Sequence, residues 1–131
     1  MSQKHLSERE YDEAAELRLA LRSFHARSDA TVRRHGLTPK RYELLLLVKV
    51  SDPAEATVGH LGARLSIGQS AATQLVRRAE DDGVLERQLS RRDARVQHLR
   101  LTEEGERRLA GALADLGPER RELINILASL R

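Results

Sequence analysis

The 131-residue chain contains no cysteine. That excludes disulfides, thiolate nucleophiles, cysteine-ligated zinc and any thiol-based redox sensor. Aromatic residues supply only 2% of the chain, as Tyr11, Phe24 and Tyr42, so a core has to be built from Leu, Val, Ile and Ala. The longest apolar run, Leu44 to Val48, is far too short to cross a membrane. The N-terminus has no apolar signal-peptide core, and a cytoplasmic protein with no membrane partner is expected. Neither sign of charge dominates. There are 23 basic and 20 acidic residues, a net of +3, so total charge makes no case for a nucleic-acid partner and distribution has to.

The distribution is uneven. Arg87, Arg91, Arg92, Arg95 and Arg100 fall in one short stretch with a single acid, Asp93. Only Lys4, Lys40 and Lys49 are lysines. The planar fork of arginine suits phosphates and guanine edges, but a GC-rich genome raises arginine usage without functional meaning. The weight therefore rests on the clustering.

Ser7 followed by Glu10 has capping-box spacing. Ala14, Leu17, Leu21, Phe24 and Ser28 then recur at three- and four-residue intervals, one face of a helix of about 28 residues ending near His35-Gly36. That length exceeds what a small globule needs; such a helix packs against a second subunit or lies along its own. Thr38-Pro39 opens a helix over about 39–50, apolar nearly all round and therefore read as the central core helix. Ser51-Asp52-Pro53 ends it. Thr57 caps a short helix carrying Val58, Leu61 and Leu65, in which Gly59 and Gly62 permit a close neighbour. After a tight break at Ser66-Ile67-Gly68, a helix is expected over Gln69 to Asp82, with Gly83 in a left-handed C-terminal cap.

Val84 to Leu89 and Val96 to Leu101 are strand-like and flank the polar turn Ser90 to Arg95, a hairpin with a basic tip. Thr102 caps a helix with Glu103 and Glu104 in its first turn and Leu109, Leu113 and Leu116 as its stripe. Gly117-Pro118 is expected to break the chain before a final amphipathic helix with Leu123, Ile124, Leu127 and Leu130. No internal repeat or low-complexity linker is visible. The fold class is mainly α with a small β-hairpin.

Helix, tight turn, helix and basic hairpin is the order of a winged helix-turn-helix. A helix entering a major groove about 12 Å wide needs one apolar face to hold it and one polar face for bases. In the helix after Gly68, Ala72, Leu75, Val76 and Ala79 form the first face. Gln69, Ser70, Thr73, Gln74, Arg77 and Arg78 form the second. Gln and Arg make bidentate contacts to adenine and guanine, and Ser and Thr serve bases or phosphates. The hairpin residues Arg91, Arg92 and Arg95 suit the neighbouring minor groove, which draws arginine by its negative potential. Asp93, alone, would repel DNA; paired with Arg95 it holds that guanidinium in place.

These segments resemble the MarR family of bacterial transcription regulators over about Gly36 to Gly105. The resemblance runs through Gly36-Leu37-Thr38-Pro39, Leu61-Gly62-Ala63-Arg64-Leu65, Gln69 to Val76 and Asp81-Asp82-Gly83-Val84-Leu85. It is strongest in Asp93-Ala94-Arg95-Val96 followed by Leu99-Arg100-Leu101-Thr102-Glu103-Glu104-Gly105. The resemblance implies one domain, with residues 36–102 as the winged lobe and residues 1–35 and 103–131 as interleaved helices of a homodimer. It implies a pseudo-palindromic operator in double-stranded DNA and, more often, repression than activation. Arg95 would enter the minor groove with Asp93 orienting it, and the helix after Gly68 would lie in the major groove. Many such regulators release DNA when a small, often aromatic, ligand binds between the dimerisation helices and the DNA-binding lobe, a feature that varies across the family. Tyr11, His25, His35 and Tyr42 are the candidates for such a pocket, though each also fits packing or dimer contacts.

His25, His35, His60 and His98 form no short-spaced metal set, and neither a metal nor another cofactor is expected. No glycine-rich phosphate loop or nucleophile set suggests an enzyme. The rival reading is a winged helix used as a protein-interaction module without sequence-specific DNA binding. The repeated arginines of the hairpin argue against it.

Overall fold

A computed structural model describes residues 5–93 and 95–130. The readings made above on residues 1–4, on Arg131 and on Ala94 in the hairpin turn lie outside the described residues.

Helix α1 spans Glu8–Arg34 and opens on a complete capping box, the Ser7 and Glu10 side chains each accepting from the other's backbone N–H. Helix α2, Pro39–Val50, starts from Thr38, whose hydroxyl accepts from the Arg41 amide, with proline in the first turn. A single 3-10 turn at Pro53–Glu55, not expected from the sequence, leads to α3, Val58–Arg64, capped by Thr57. Helix α4 covers Gln69–Asp81, with Asp82 as its C-cap residue. Strands β1, Leu85–Leu89, and β2, Gln97–Leu101, pair antiparallel with Leu85 opposite Leu101 and Leu89 opposite Gln97. Helix α5, Glu103–Asp115, is capped by Thr102, and α6 follows over Gly117–Ser129.

Three helices end in the same way. After α1 and α4, Gly36 and Gly83 take positive φ. The next residue donates its amide across the turn, Leu37 to the Val32 carbonyl and Val84 to that of Ala79. Each six-to-one bond brings two buried apolar side chains together, Val32 with Leu37 and Ala79 with Val84. The third end, after α3, repeats the pattern with Ile67 donating to Gly62, but the left-handed position is held by Ser66 at φ 57°. A side chain there costs on the order of 1 kcal/mol relative to glycine. Ser66→Gly is therefore expected to stabilise the protein by about 1 kcal/mol, raising Tm by roughly 3–4 °C in a calorimetric scan at fixed protein concentration.

Helix α2 packs against α1, α3, α4, α5 and β2, with Leu44, Leu45 and Val48 fully inside. Around it gather Val32, Leu37, Leu61, Val76, Val84, Leu99, Leu109 and Leu116. The fully buried core is aliphatic, with Tyr42 packed against its edge. The core helix is not buried on every side: Val50 is 65% exposed at its C-terminal end.

Two glycine expectations separate. A Cβ on Gly62 would lie 2.8 Å from that of Ala72, so Gly62 does set the crossing of α3 on α4. A Cβ on Gly59 would meet nothing within 4 Å, which corrects the reading of that residue. The division expected at Gly117-Pro118 is present and falls one residue earlier. Only Leu116 separates α5 from α6, in right-handed helical conformation, and its amide still bonds Ala112 while its carbonyl receives the Arg120 amide. Proline is tolerated here because it sits at the start of α6, where its missing N–H has no intrahelical partner to lose.

Candidate nucleic-acid interface

Helix α4 is held by Ala72, Val76 and Ala79, all buried, and turns Gln69, Ser70, Gln74, Arg77 and Arg78 to the outside. Thr73 is half-buried, and its hydroxyl donates to the Gln69 carbonyl at 2.9 Å. That leaves only its oxygen lone pairs for a ligand. The N-cap residue is Gly68, and no side chain caps the helix. The first intrahelical bond is Ala72 N–H to the Gly68 carbonyl, so the opening amides point outward beside Gln69 and Ser70, where an anion is favoured.

The hairpin tip is organised by two side chains. Ser90 Oγ accepts from the amides of Arg92 and Asp93 at 3.2 and 3.4 Å, and the Ser90 amide donates to the Val96 carbonyl. Asp93 Oδ1 accepts from both the amide and Nε of Arg95, at 3.0 and 3.2 Å. These bonds hold the Asp93 carboxyl below its ordinary value, the backbone amide contributing most and the guanidinium next. Arg95 is nonetheless 91% exposed. Nη2 also donates to Asp93 Oδ2 at 3.5 Å, so one edge of its fork is pinned and Nη1 is left for a further partner.

The five-arginine cluster divides into two functions. Arg87 bonds Glu80 of α4 at 2.9 Å and Gln97 of β2 at 3.1 Å, and Arg100 bonds Glu86 across the strands. Both are spent inside the lobe, where Arg87 ties the hairpin to α4. Arg91 and Arg92 are exposed and make no side-chain hydrogen bond or ion pair among the described residues, and the same holds for Arg77 and Arg78.

A further basic region escaped the sequence reading. A cleft of about 590 Å³ beside α4 is lined by Arg33, Lys40, Arg41 and Arg78, with Thr38 and Gln74 and no carboxylate. Arg33 has no side-chain partner among the described residues. In the sequence these cations look like ordinary helix-end charges; only the packing of the α1 and α2 ends beside α4 joins them.

The four pocket candidates do not share a pocket. His25 and Tyr42 line a cleft of about 270 Å³ between α1, α2 and α5, with Phe24, Val32, Leu46, Leu113, Leu116 and Arg120. Burial raises the Tyr42 hydroxyl above its ordinary value, and Arg120 partly offsets this. Tyr11 is exposed on the first turns of α1 and lies outside that cleft. His35 is also outside it: its Nε2 lies 2.6 Å from Asp115 Oδ2, and the ring presses on Gly111. Among the described residues no group of three or more His, Asp or Glu side chains is placed to hold a metal. No described helix is long and apolar enough to cross a membrane.

The comparisons with known proteins bear out the family resemblance. The MarR family model matches residues 35–96, which cover α2, the helix-turn-helix and the first part of the wing. No curated protein matches the sequence. Among solved structures, a MarR family protein from Bacillus stearothermophilus is 29% identical, with 97% of this chain and 86% of that chain covered at a TM-score of 0.72. AbsC, a MarR family transcriptional regulator from Streptomyces coelicolor, shares the fold at a TM-score of 0.77 and 18% identity, covering 95% and 84%. The Mycobacterium tuberculosis regulator MOSR, solved in complex with DNA, is 24% identical, with a TM-score of 0.61 over 86% and 77% of the two chains.

Proposed function

From a winged lobe that carries the MarR family pattern, in a fold shared over nearly the whole chain, we propose a transcription regulator that binds double-stranded DNA sequence-specifically as a homodimer. It acts as a repressor on a pseudo-palindromic operator. Helix α4 lies in the major groove, with Gln69, Gln74 and Arg77 reaching base edges and Ser70 and Thr73 at the backbone or bases. Arg91, Arg92 and Arg95 follow the adjacent minor groove. Arg33, Lys40 and Arg78 face the phosphates that flank α4.

One observation carries this reading. Arg87, Arg100, Arg107 and Arg108 are all tied to carboxylates elsewhere in the molecule. Unpaired arginines occur on α1 and α6 as well, at Arg18, Arg22 and Arg121. The polar face of α4 and the tip of the hairpin packed against it, however, bring together four, Arg77, Arg78, Arg91 and Arg92, with no acid among the described residues to neutralise them. A purely structural or protein-binding winged lobe has no need to keep cations unpaired on two adjacent projections. A regulator that shares this fold has been solved in complex with DNA.

The cleft holding His25 and Tyr42 is the place for a small-molecule effector. It is walled mainly by apolar side chains, lies between α1 and the winged lobe, and carries the charged groups of Asp29, Glu43 and Arg120 on its wall. A ligand seated there and favouring one spacing of α1 and α2 would shift DNA affinity through that preference alone.

The test is salt dependence. Binding to a duplex recovered by selection with the wild-type protein should weaken steeply with added salt, with a slope near −0.9 per phosphate neutralised. Arg77→Ala should cost about 1–3 kcal/mol and relax preference at one base pair per half-site. A flat salt response, or failure to select any sequence, would overturn the DNA reading. A loss spread evenly over all sequences would demote Arg77 to a phosphate contact.

A further inference from the structure

Besides the Arg87–Glu80 tie to the hairpin, helix α4 is held near both of its ends. Its N-terminal half is set by the Gly62–Ala72 crossing. Its C-terminal end is gripped through Asp82, whose Oδ2 accepts from Arg41 Nη1 of α2 at 3.0 Å and from Arg108 Nη1 of α5 at 2.8 Å. Arg108 is itself placed from two other directions: Nε donates to Glu104 at 2.8 Å, and Nη1 donates to the carbonyl of Gly36 at the end of α1 at 3.1 Å. One guanidinium thus joins the end of α1, the end of α4 and the first turns of α5, and the carboxylate it holds is shared with α2.

These two arginines are mostly covered, with side-chain exposures of 16% and 20%, so neither fork is turned outward as those of Arg77 and Arg78 are. Asp82 also stands out against its neighbour. Asp81 is exposed and has no side-chain partner among the described residues. A carboxylate on a lobe that binds a polyanion opposes binding by its charge, so Asp82 has to act through its contacts.

We propose that Asp82 and Arg108 are positioning residues for DNA recognition, aiming the polar face of α4 by fixing its C-terminal end to α5 without touching DNA. The inference rests on the DNA reading given above. Helix α5 runs directly into α6, and α6 packs on α1. The angle at which two recognition helices of a dimer meet the two half-sites is therefore set through this junction. Glu104 is held down to about 2, first by its bonds from Arg107 and then from Arg108, so its contribution is complete above the ordinary carboxylate range and lost only as pH falls toward 2.

Three substitutions in the full-length chain separate positioning from charge. Asp82→Asn and Asp81→Asn each remove one negative charge, so by charge alone both should bind the selected duplex as tightly as wild type or more so. Positioning predicts that Asp82→Asn binds roughly 3- to 30-fold more weakly, whereas Asp81→Asn does not weaken. Arg108→Lys leaves net charge unchanged but loses the fork that spans three partners. It should weaken binding over the same range, with dimer mass and helical circular dichroism as in wild type. In both weakened variants the slope of log affinity against log salt should stay at the wild-type value, because no phosphate contact is removed. Asp82→Asn binding as tightly as Asp81→Asn, or Arg108→Lys binding normally, overturns the proposal. Loss of helical signal or dimer mass in both variants also overturns it, since the contacts would then hold the fold and not aim the helix. Wild-type protein that selects no duplex overturns the DNA reading itself, and this inference with it.

Discussion

Gly105→Ala is expected to destabilise the protein by about 3 kcal/mol, lowering Tm by roughly 10 °C. Gly105 lies in the first turn of α5, and its amide is the donor to the capping hydroxyl of Thr102. The same cap threads back to the wing, because Thr102 Oγ1 donates to the Gly83 carbonyl at 2.6 Å and the Thr102 amide donates to that of Val84. A Cβ on Gly105 would fall 2.0 Å from the Val84 carbonyl oxygen and 3.0 Å from its carbon. Both are backbone atoms, so no side chain can rotate away and either the hairpin or α5 has to shift. Val84 and Leu85 are fully buried, and the shift therefore opens the core under β1. The matched control is Gly59→Ala, also in a helix but in open space. It should be neutral or stabilise by up to about 1 kcal/mol through the better helix propensity of alanine. Thermal unfolding of the two variants at one protein concentration decides the matter. Equal Tm values would show that the approach of α5 to Val84 is not a constraint.

On the homodimer proposed above, the double variant Ile124→Asp/Leu127→Asp is expected to leave the protein monomeric. In the isolated chain Ile124 and Leu127 on α6 are 57% and 41% exposed, and Leu17, Leu19 and Tyr11 on α1 are exposed as well. Helices α1 and α6 pack on each other, with Arg27 and Glu122 bridging them at 3.2 Å, so the apolar residues left over form a surface across both. Covering a leucine or isoleucine contributes about 1.5–3 kcal/mol each, which makes this surface suited to a second copy. Two aspartates per chain place four carboxylates at a two-fold interface, and each buried carboxylate costs several kcal/mol. A total near 6 kcal/mol or more corresponds to a rise in the dimer Kd of on the order of four powers of ten. Sedimentation at micromolar concentration should then report a single-chain mass, with binding to a two-half-site duplex lost while the helical signal persists. A dimer of unchanged mass would move the interface elsewhere.

The elements of this protein were legible in the sequence because the interactions that start and stop them reach only a few residues. Ser7 with Glu10, Thr38, Thr57 and Thr102 each satisfy an amide within three residues. Gly36 and Gly83 take the left-handed conformation that side chains disfavour. The same locality made the wing readable, since Asp93 bonds Arg95 two residues away and the strands pair across one turn. Ser66 followed the same rule of position and broke its rule of residue type. Gly117-Pro118 marked the division of α5 from α6, which falls at Leu116 with the proline in the first turn of α6.

Tertiary structure decided which charges are free, and this could not have been read from the chain. Arg87 and Arg91 look alike in the sequence, yet one is tied to Glu80 and Gln97 and the other to nothing described. Gly59 and Gly62 differ only in what α4 brings near them. Asp82 meets Arg41 and Arg108 from positions 41 residues before it and 26 after, and the cleft with Arg33 and Lys40 forms only where helix ends converge on α4. Such contacts depend on the angle at which whole helices pack, set by the summed burial of the aliphatic core, and no local pattern of residues encodes it. By itself the sequence determined the helices, the wing and the polar face of α4. The packing decided which arginines are tied to carboxylates and which are left unpaired.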